Sequence, residues 1–221
     1  MSSRNEELRE RLAEIHSKIP SDRTLIVVTK TFPVSDAQLL YDLGERNFAE
    51  NRDSEGQAKS SILPNDAIWH FQGEIQSQKI RSILSWADYI HSLDELRHAE
   101  KISAIASEMG KRQKVFVQIS LDPEPGIRGG VDPKNLDALI EAMINLSGLE
   151  LVGVMGIAPL HGDPARAFAR LQALSDQVSH QVPQATAISA GMSDDFEIAL
   201  RFGATHLRLG SSILGSRHSP L

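Results

Sequence analysis

Apolar segments rich in β-forming residues alternate along this chain with segments whose polar and apolar residues follow a helical period. Helix-like stretches such as Asp94–Met109 and Asp163–His180 each open on an aspartate suited to the N-cap position. Strict alternation of strands and helices predicts a parallel sheet. The eight predicted strands are Leu25–Lys30, Asn47–Asn51, Ala67–Gly73, Asp88–Ser92, Val115–Ser120, Leu149–Ile157, Ala185–Gly191 and His206–Gly210.

Eight strand–helix units, preceded by a charged helical segment within residues 1–18, favour a closed (β/α)8 TIM barrel with a leading N-terminal helix. An open, doubly wound sheet is the alternative that the same alternation allows. TIM barrels usually have about 250 residues, and the smallest have roughly 200. The 221 residues of this chain therefore predict one α/β domain over residues 1–221.

Composition narrows the classes of function. The formal net charge of −6 argues against general nucleic-acid binding, which requires a clustered basic surface. The chain contains no cysteine, which excludes disulfides, thiolate nucleophiles and cysteine-based zinc sites. The N-terminal segment lacks the apolar stretch of a signal peptide, and no apolar run is long enough to span a membrane. These features predict a cytoplasmic protein with neither a nucleic-acid nor a membrane partner.

The first predicted strand ends on Lys30, and alternation places Ile26, Val28 and Lys30 on one face. In a barrel, functional groups lie at the C-terminal ends of the strands. If this face points inward, partial desolvation favours the neutral amine, which is the form that attacks an aldehyde. The alternative is a lysine that extends from the strand end into water.

Two glycine-containing turns follow the last two predicted strands, at residues 189–194 and 208–212. Glycine lets backbone amides approach an anion, and Ser193 and Ser211 add hydroxyl donors. The loops after strands seven and eight form the usual phosphate site of a TIM barrel, so the two turns predict a phosphate site. The alternative is an ordinary pair of turns in which Ser193 caps the helix that follows.

Arg208 and Asn51 are two further polar residues near strand ends. An inward arginine needs an acceptor, because a buried unpaired charge is costly. A pyridine nitrogen or a phosphate would serve, and the alternative is a structural ion pair with Glu50. Asn51 could donate to a ring oxygen of a ligand or form an Asx turn before the next helix.

Three other features carry weaker expectations. The histidines at positions 70, 91 and 161 lie near strand ends, but they lack the short spacing of paired zinc ligands, so no metal site is predicted. The loop over residues 121–131 contains two prolines and three glycines and is a candidate mobile cap. Its Arg128 could meet an anion, although an ordinary solvated loop is equally compatible with this composition.

Several segments together resemble the pyridoxal-phosphate homeostasis protein family, single-domain relatives of the alanine racemase barrel. The resemblance covers about residues 8–215 and is carried by several motifs in one order. They are VTKT at 28–31, FAEN at 48–51, WHFQGEIQSQK at 69–79, HSLDE at 91–95, GVMGIAP at 153–159, SAGMSDDFEIAL at 189–200 and HLRLGSSILG at 206–215. The departures from the family pattern are Ala49, Gln72, Gln78 and Ser211.

The resemblance implies a barrel of the alanine racemase N-terminal type that holds pyridoxal 5′-phosphate (PLP) as a Schiff base on Lys30. Asn51 would lie against the cofactor, and Arg208 would face its pyridine nitrogen. The residues expected around the phosphate are Ser189, Met192, Ser193, Gly210 and Ser211.

The resemblance predicts a protein that functions in intracellular PLP homeostasis and passes cofactor to PLP-dependent apoenzymes, as a monomer or a weak dimer. No catalytic residue is predicted, because an arginine at the pyridine nitrogen weakens the electron sink and racemisation needs a second acid–base group. Tyr41 and Tyr89 are poor candidates for that group. The alternatives are a PLP-dependent amino-acid racemase and a cofactor-free Schiff-base aldolase.

Overall fold

The computed structural model describes residues 3–122 and 128–215. Helix α1 (Arg4–Lys18) begins with a capping box, in which Ser3 accepts from the backbone of Glu6 and the side chain of Glu6 accepts from the backbone of Ser3. Its buried leucines recur every four residues, so one face of α1 packs on the rest of the molecule.

Eight parallel strands form a closed barrel in chain order, and β1 pairs with β8 to complete it. This confirms the predicted barrel and excludes the open sheet. The strands are β1 (Thr24–Val28), β2 (Asn47–Glu50), β3 (Ile68–Phe71), β4 (Tyr89–Leu93), β5 (Gln113–Gln118), β6 (Leu149–Met155), β7 (Ala187–Ser189) and β8 (His206–Leu209).

Helices follow the strands around the outside of the barrel. Two short 3₁₀ helices, Ser77–Lys79 and Pro133–Asn135, precede α4 and α6. Among the described residues, no helix combines the length and apolar character needed to cross a membrane. The helices after α1 are α2 (Val34–Asp42), α3 (Asp53–Ser60), α4 (Ile80–Trp86), α5 (Leu96–Glu108), α6 (Leu136–Met143), α7 (Pro164–Gln181), α8 (Phe196–Arg201) and α9 (Ser211–Leu214).

The hydrophobic core has two parts because alternate residues of each strand face opposite sides. The larger cluster lies between the sheet and the helices and includes Val27 and Leu209. A small separate cluster of Ile26, Val28 and Ala49 is also fully or nearly fully buried. The predicted parity of β1 is therefore confirmed for Ile26 and Val28.

Two local predictions differ in outcome. Asp163 caps α7 as expected, since its carboxylate accepts from the backbone N–H of Ala165. Asp94 does not cap α5, which was a wrong prediction. The helix begins one residue later, and the Asp94 carboxylate instead accepts from the backbone of Gly130. Asp94 therefore ties the loop after β5 to the end of β4.

Candidate functional site

A cavity of about 480 Å³ opens at the C-terminal ends of the strands. This volume falls within the usual range of small-molecule sites. Seven of the eight residues predicted to bind a cofactor line it, and the eighth, Ser189, lies fully buried behind it. The lining residues are Val28, Lys30, Phe32, Asn51, Gln72, Met155, Ile157, Met192, Ser193, Asp194, Arg208, Gly210, Ser211 and Gly215.

Lys30 reaches the cavity from the segment that follows β1. The strand ends at Val28, two residues earlier than predicted, and the chain then turns sharply. Thr31 has a φ of 68°, a left-handed conformation that is a genuine outlier for a β-branched residue. Its amide donates to the Glu55 carboxylate at 2.9 Å, which helps to hold this strained turn. Such strain persists only where surrounding contacts enforce it, and it is concentrated at functional sites.

A buried ion pair holds the other side of the Lys30 backbone. Lys59 Nζ lies 2.5 Å from Glu50 Oε1 and donates to the Thr29 carbonyl at 2.8 Å. The Thr29 hydroxyl donates to the same Glu50 oxygen at 2.6 Å. Burial raises the pKa of Glu50, and the bonds from Lys59 and Thr29 oppose that rise. We call Thr29, Glu50 and Lys59 the strand-end clamp, because they fix the peptide next to Lys30.

The expected alternative partner of Arg208 is therefore not observed, since Glu50 pairs with Lys59. Arg208 is nearly fully buried and donates to Ser189 Oγ at 2.6 Å and to the Gly156 carbonyl at 3.0 Å. No carboxylate of the described residues lies within ion-pair distance of it. Burial lowers the pKa of Arg208 to about 10, against the opposing attraction of Asp195, so it stays cationic at neutral pH. A cation buried without a counter-ion suits a site that receives an acceptor or an anion.

The two glycine-containing turns meet at the cavity. The Ser193 hydroxyl donates to Ser212 Oγ at 3.1 Å and accepts from the Ser212 amide at 3.2 Å. Ser193 therefore joins the two turns. The alternative, in which Ser193 caps α8, is not observed. Gly191 has a φ of 91°, and a Cβ there would lie 2.8 Å from the Phe196 backbone. Only glycine fits this turn without displacement of α8.

Asn51 presents an unsatisfied polar atom at the cavity wall. Its Oδ1 is buried and has no hydrogen-bond partner among the described residues, so the alternative Asx turn is not formed. The Asn51 backbone packs closely on Gly73. A Cβ on residue 73 would lie 1.9 Å from the Asn51 carbonyl oxygen. An orphaned buried amide oxygen costs free energy unless a ligand or water meets the side chain. This observation fits a polar ligand in the cavity.

The cavity also contains residues that were not predicted as contacts. Gln72 lies on the wall, one residue beyond the end of β3, where the alternation of the predicted strand Ala67–Gly73 could have placed it. Phe32 and Ile157 supply apolar surface, and Asp194 adds a carboxylate beside Ser193. Phe32 gave no pattern signal, because it lies in a turn beyond β1. Ile157 ended the predicted sixth strand, although β6 itself ends at Met155.

The remaining sequence-based features lie outside this wall. Part of the proposed cap loop, residues 123–127, falls outside the described residues. Arg128 donates to the Ala158 carbonyl at 2.6 Å and does not line the cavity. Within the described ranges, His70, His91 and His161 do not converge as a metal-ligand group, and His161 is exposed.

The chain is similar to a known protein family, to curated relatives and to solved structures. The family described as alanine racemase, N-terminal domain, matches residues 4–218. The pyridoxal phosphate homeostasis protein of Mycobacterium bovis is 38% identical over 225 residues, which cover 93% of this chain and 87% of that protein. PipY of Synechococcus elongatus is similar in structures solved without PLP (TM-score 0.89, 35% identity) and with PLP bound (TM-score 0.85, 34% identity). Each match covers 94% of this chain and 100% of the PipY chain.

Proposed function

Because the chain belongs to the family of pyridoxal phosphate homeostasis proteins, which is built on the alanine racemase N-terminal barrel, we propose that it binds PLP in the C-terminal cavity and acts in intracellular PLP homeostasis. The observation that carries this proposal is the convergence of Lys30, Arg208 and the two linked turns on one cavity. These groups supply an amine, a buried donor and a phosphate cradle, which together match the three functional ends of PLP.

Each functional group of PLP has a matching residue in the cavity. Lys30 supplies the amine that bonds to the PLP aldehyde, and Arg208 donates to the pyridine nitrogen. Ser193, Gly210 and Ser211 surround the phosphate with backbone N–H donors and the Ser211 hydroxyl, since the Ser193 hydroxyl donates to Ser212. The buried cation Arg208 favours an anionic ligand electrostatically. When bound, PLP supplies a reactive aldehyde that condenses reversibly with amines.

Two further cavity residues complete the cradle. Asn51 meets a polar substituent of the ring with the amide whose oxygen is otherwise unsatisfied. Met192 covers the phosphate side at the rim, where the residue is 39% exposed. We assign these residues to cofactor binding, and we assign none of them to catalysis.

We infer a carrier rather than a racemase from the chemistry of the described cavity wall. Racemisation needs an acid–base group on each face of the substrate. The partly buried Tyr41 instead bonds to Asp66, and Tyr89 bonds to Lys114. Neither tyrosine lines the cavity.

The same proposal extends to the organisation and partners of the protein. Residues 1–221 would form one PLP-binding domain that acts in the cytoplasm as a monomer or a weak dimer. PLP-dependent apoenzymes would receive the cofactor after a second amine displaces Lys30. The reversible covalent bond to Lys30 allows this exchange without any catalytic group on the protein.

A titration separates the carrier from the racemase. Purified protein is titrated with PLP while the visible absorbance is recorded, and then each amino acid is added and its chirality is followed. We expect a saturable yellow band, release of PLP to added amines, and no sustained change in chirality. Sustained turnover that is lost in Lys30→Ala would refute the carrier. Its loss in Asp194→Asn as well would assign the second acid–base group to the carboxylate on the described cavity wall.

A further inference from the structure

Five polar side chains form a continuous hydrogen-bonded row through the barrel interior behind the cavity. Arg208 Nη1 lies 2.6 Å from Ser189 Oγ, which lies 2.8 Å from His91 Nδ1. His91 Nε2 lies 2.8 Å from His70 Nδ1, and His70 Nε2 lies 3.1 Å from Asn47 Oδ1. Asn47 begins β2, so the row runs from the cavity toward the N-terminal end of the barrel. We call it the polar relay.

The donor of each hydrogen bond in the polar relay is fixed by the chemistry of its two end residues. An arginine only donates, so Ser189 accepts from Arg208. An amide oxygen only accepts, so His70 must carry its proton on Nε2 to donate to Asn47. A neutral imidazole has one N–H, so His70 Nδ1 accepts from His91 Nε2. His91 Nδ1 is then an acceptor, and it takes the single proton of the Ser189 hydroxyl.

The environment keeps both imidazoles neutral and fixed. Burial lowers the pKa of His70 and His91 well below the usual value, and the Arg208 charge lowers that of His91 further. His70 stacks on Tyr89 with ring centroids 4.7 Å apart, and His91 stacks on Phe116 at 4.3 Å. Stacked, buried rings resist rotation, so each nitrogen keeps its partner.

We propose that the polar relay positions Arg208 as a fixed donor toward the cavity, and that Ser189, His91, His70 and Asn47 are positioning residues for the bound ring. The Ser189 proton is committed to His91, so its oxygen always presents a lone pair to Arg208. Arg208 uses one N–H on Ser189 and one on Gly156, which leaves other N–H groups for an acceptor in the cavity. No member of the relay can pass a proton toward Arg208 in this arrangement.

The inference rests on the proposed function for its ligand, since the acceptor it would serve is the pyridine nitrogen of PLP. A nitrogen that meets only a permanent donor stays unprotonated. The relay would therefore hold the bound cofactor in a form that is a weak electron sink, which suits storage of PLP better than catalysis.

The direction of the relay can be tested without PLP. In the apoprotein labelled with ¹⁵N-histidine, we expect the protons of His70 and His91 on Nε2. We also expect a nitrogen–nitrogen coupling across the hydrogen bond from His91 Nε2 to His70 Nδ1. A proton on His70 Nδ1, or no coupling between the rings, overturns the relay whether or not PLP binds.

Its effect on the site is tested with matched variants that are first shown to be folded by circular dichroism. Ser189→Ala removes the acceptor of Arg208 and should weaken PLP binding by about tenfold or more, as expected for a lost charge-assisted hydrogen bond. Asn47→Leu removes the terminal acceptor and should shift the absorbance band of bound PLP and its pH titration, whereas Asn47→Asp retains an acceptor oxygen and should restore both. His180→Gln is the control, because the His180 ring is bonded to the Asp176 carbonyl on the exposed surface of α7, away from the relay.

Three outcomes would each overturn one part of this proposal. Wild-type PLP affinity and spectrum in Ser189→Ala would overturn the positioning role, and so would equal effects of Asn47→Leu and Asn47→Asp. If wild-type protein does not bind PLP, the proposed function fails, and the labelled apoprotein still decides whether the relay exists.

Discussion

Lys59→Met is the substitution that tests most sharply how the molecule holds Lys30. The methionine keeps the length of the side chain and removes the ammonium that contacts Glu50 and the Thr29 carbonyl. The side chain of Lys59 is 7% exposed and that of Glu50 is 0% exposed, so water cannot replace the lost partner. The variant therefore leaves a carboxylate buried without its cation.

Removal of one member of a buried ion pair typically costs about 3–5 kcal/mol of unfolding free energy. For a domain of this size, that loss lowers Tm by roughly 6–20 °C. The loss should depend on pH in a defined direction. Burial already raises the pKa of Glu50, and without Lys59 a main opposing contact is gone. Protonation then relieves the penalty, so the gap between variant and wild type should be smaller at low pH and should widen as the pH rises.

The assay is urea unfolding followed by circular dichroism at several pH values, with PLP binding recorded on the same samples. Lys18→Met is the matched control, since Lys18 pairs with Glu14 on the exposed surface of α1 and should change stability little. Adding Glu50→Gln to Lys59→Met should recover much of the loss. A loss below about 1 kcal/mol, or one that does not vary with pH, would refute the strand-end clamp as a buried ion pair.

Three other changes have defined outcomes. Gly191→Ala should cost about 1–3 kcal/mol in urea unfolding, because its Cβ would overlap α8, and an unchanged midpoint would contradict this. Asn51→Leu should stabilise the apoprotein by about 1 kcal/mol, because it removes an unsatisfied buried oxygen, and it should weaken PLP binding. A less stable apoprotein that binds PLP more tightly would count against a role of Asn51 in cofactor binding. Burial lowers the pKa of His70 and His91, and it lowers that of His206 to about 4. The unfolded chain therefore binds protons first, so the free energy of unfolding should fall as the pH drops below about 6.5. An unchanged free energy of unfolding over that range would argue against buried neutral histidines.

The barrel could be predicted from the sequence because its signals are local. Each strand is a short apolar run, and each helix shows a helical repeat of apolar residues. The number of strand–helix units therefore predicted the closed eight-stranded barrel. Strand ends were harder, since hydrogen bonding to neighbouring strands decides them. Lys30 was placed on β1, although the strand ends at Val28 and a left-handed Thr31 turns the lysine into the cavity.

Side-chain partners were the least predictable feature of the site. Glu50 was the expected alternative partner of Arg208, but it binds a lysine on α3 instead. Ser189 was expected at the phosphate, but its parity directs it into the barrel, where it meets Arg208 and His91. Both outcomes depend on which strands become neighbours across the barrel, and one sequence contains no direct record of those distances.

Reduction with borohydride followed by mass spectrometry shows whether Lys30 is the residue that carries PLP. Protein incubated with PLP is reduced, digested and mapped, with Lys30→Ala treated in parallel. We expect one stable phosphopyridoxyl adduct, located on Lys30 and absent from the variant. An adduct on other lysines alone, or an equal yield in Lys30→Ala, would show that Lys30 does not carry PLP.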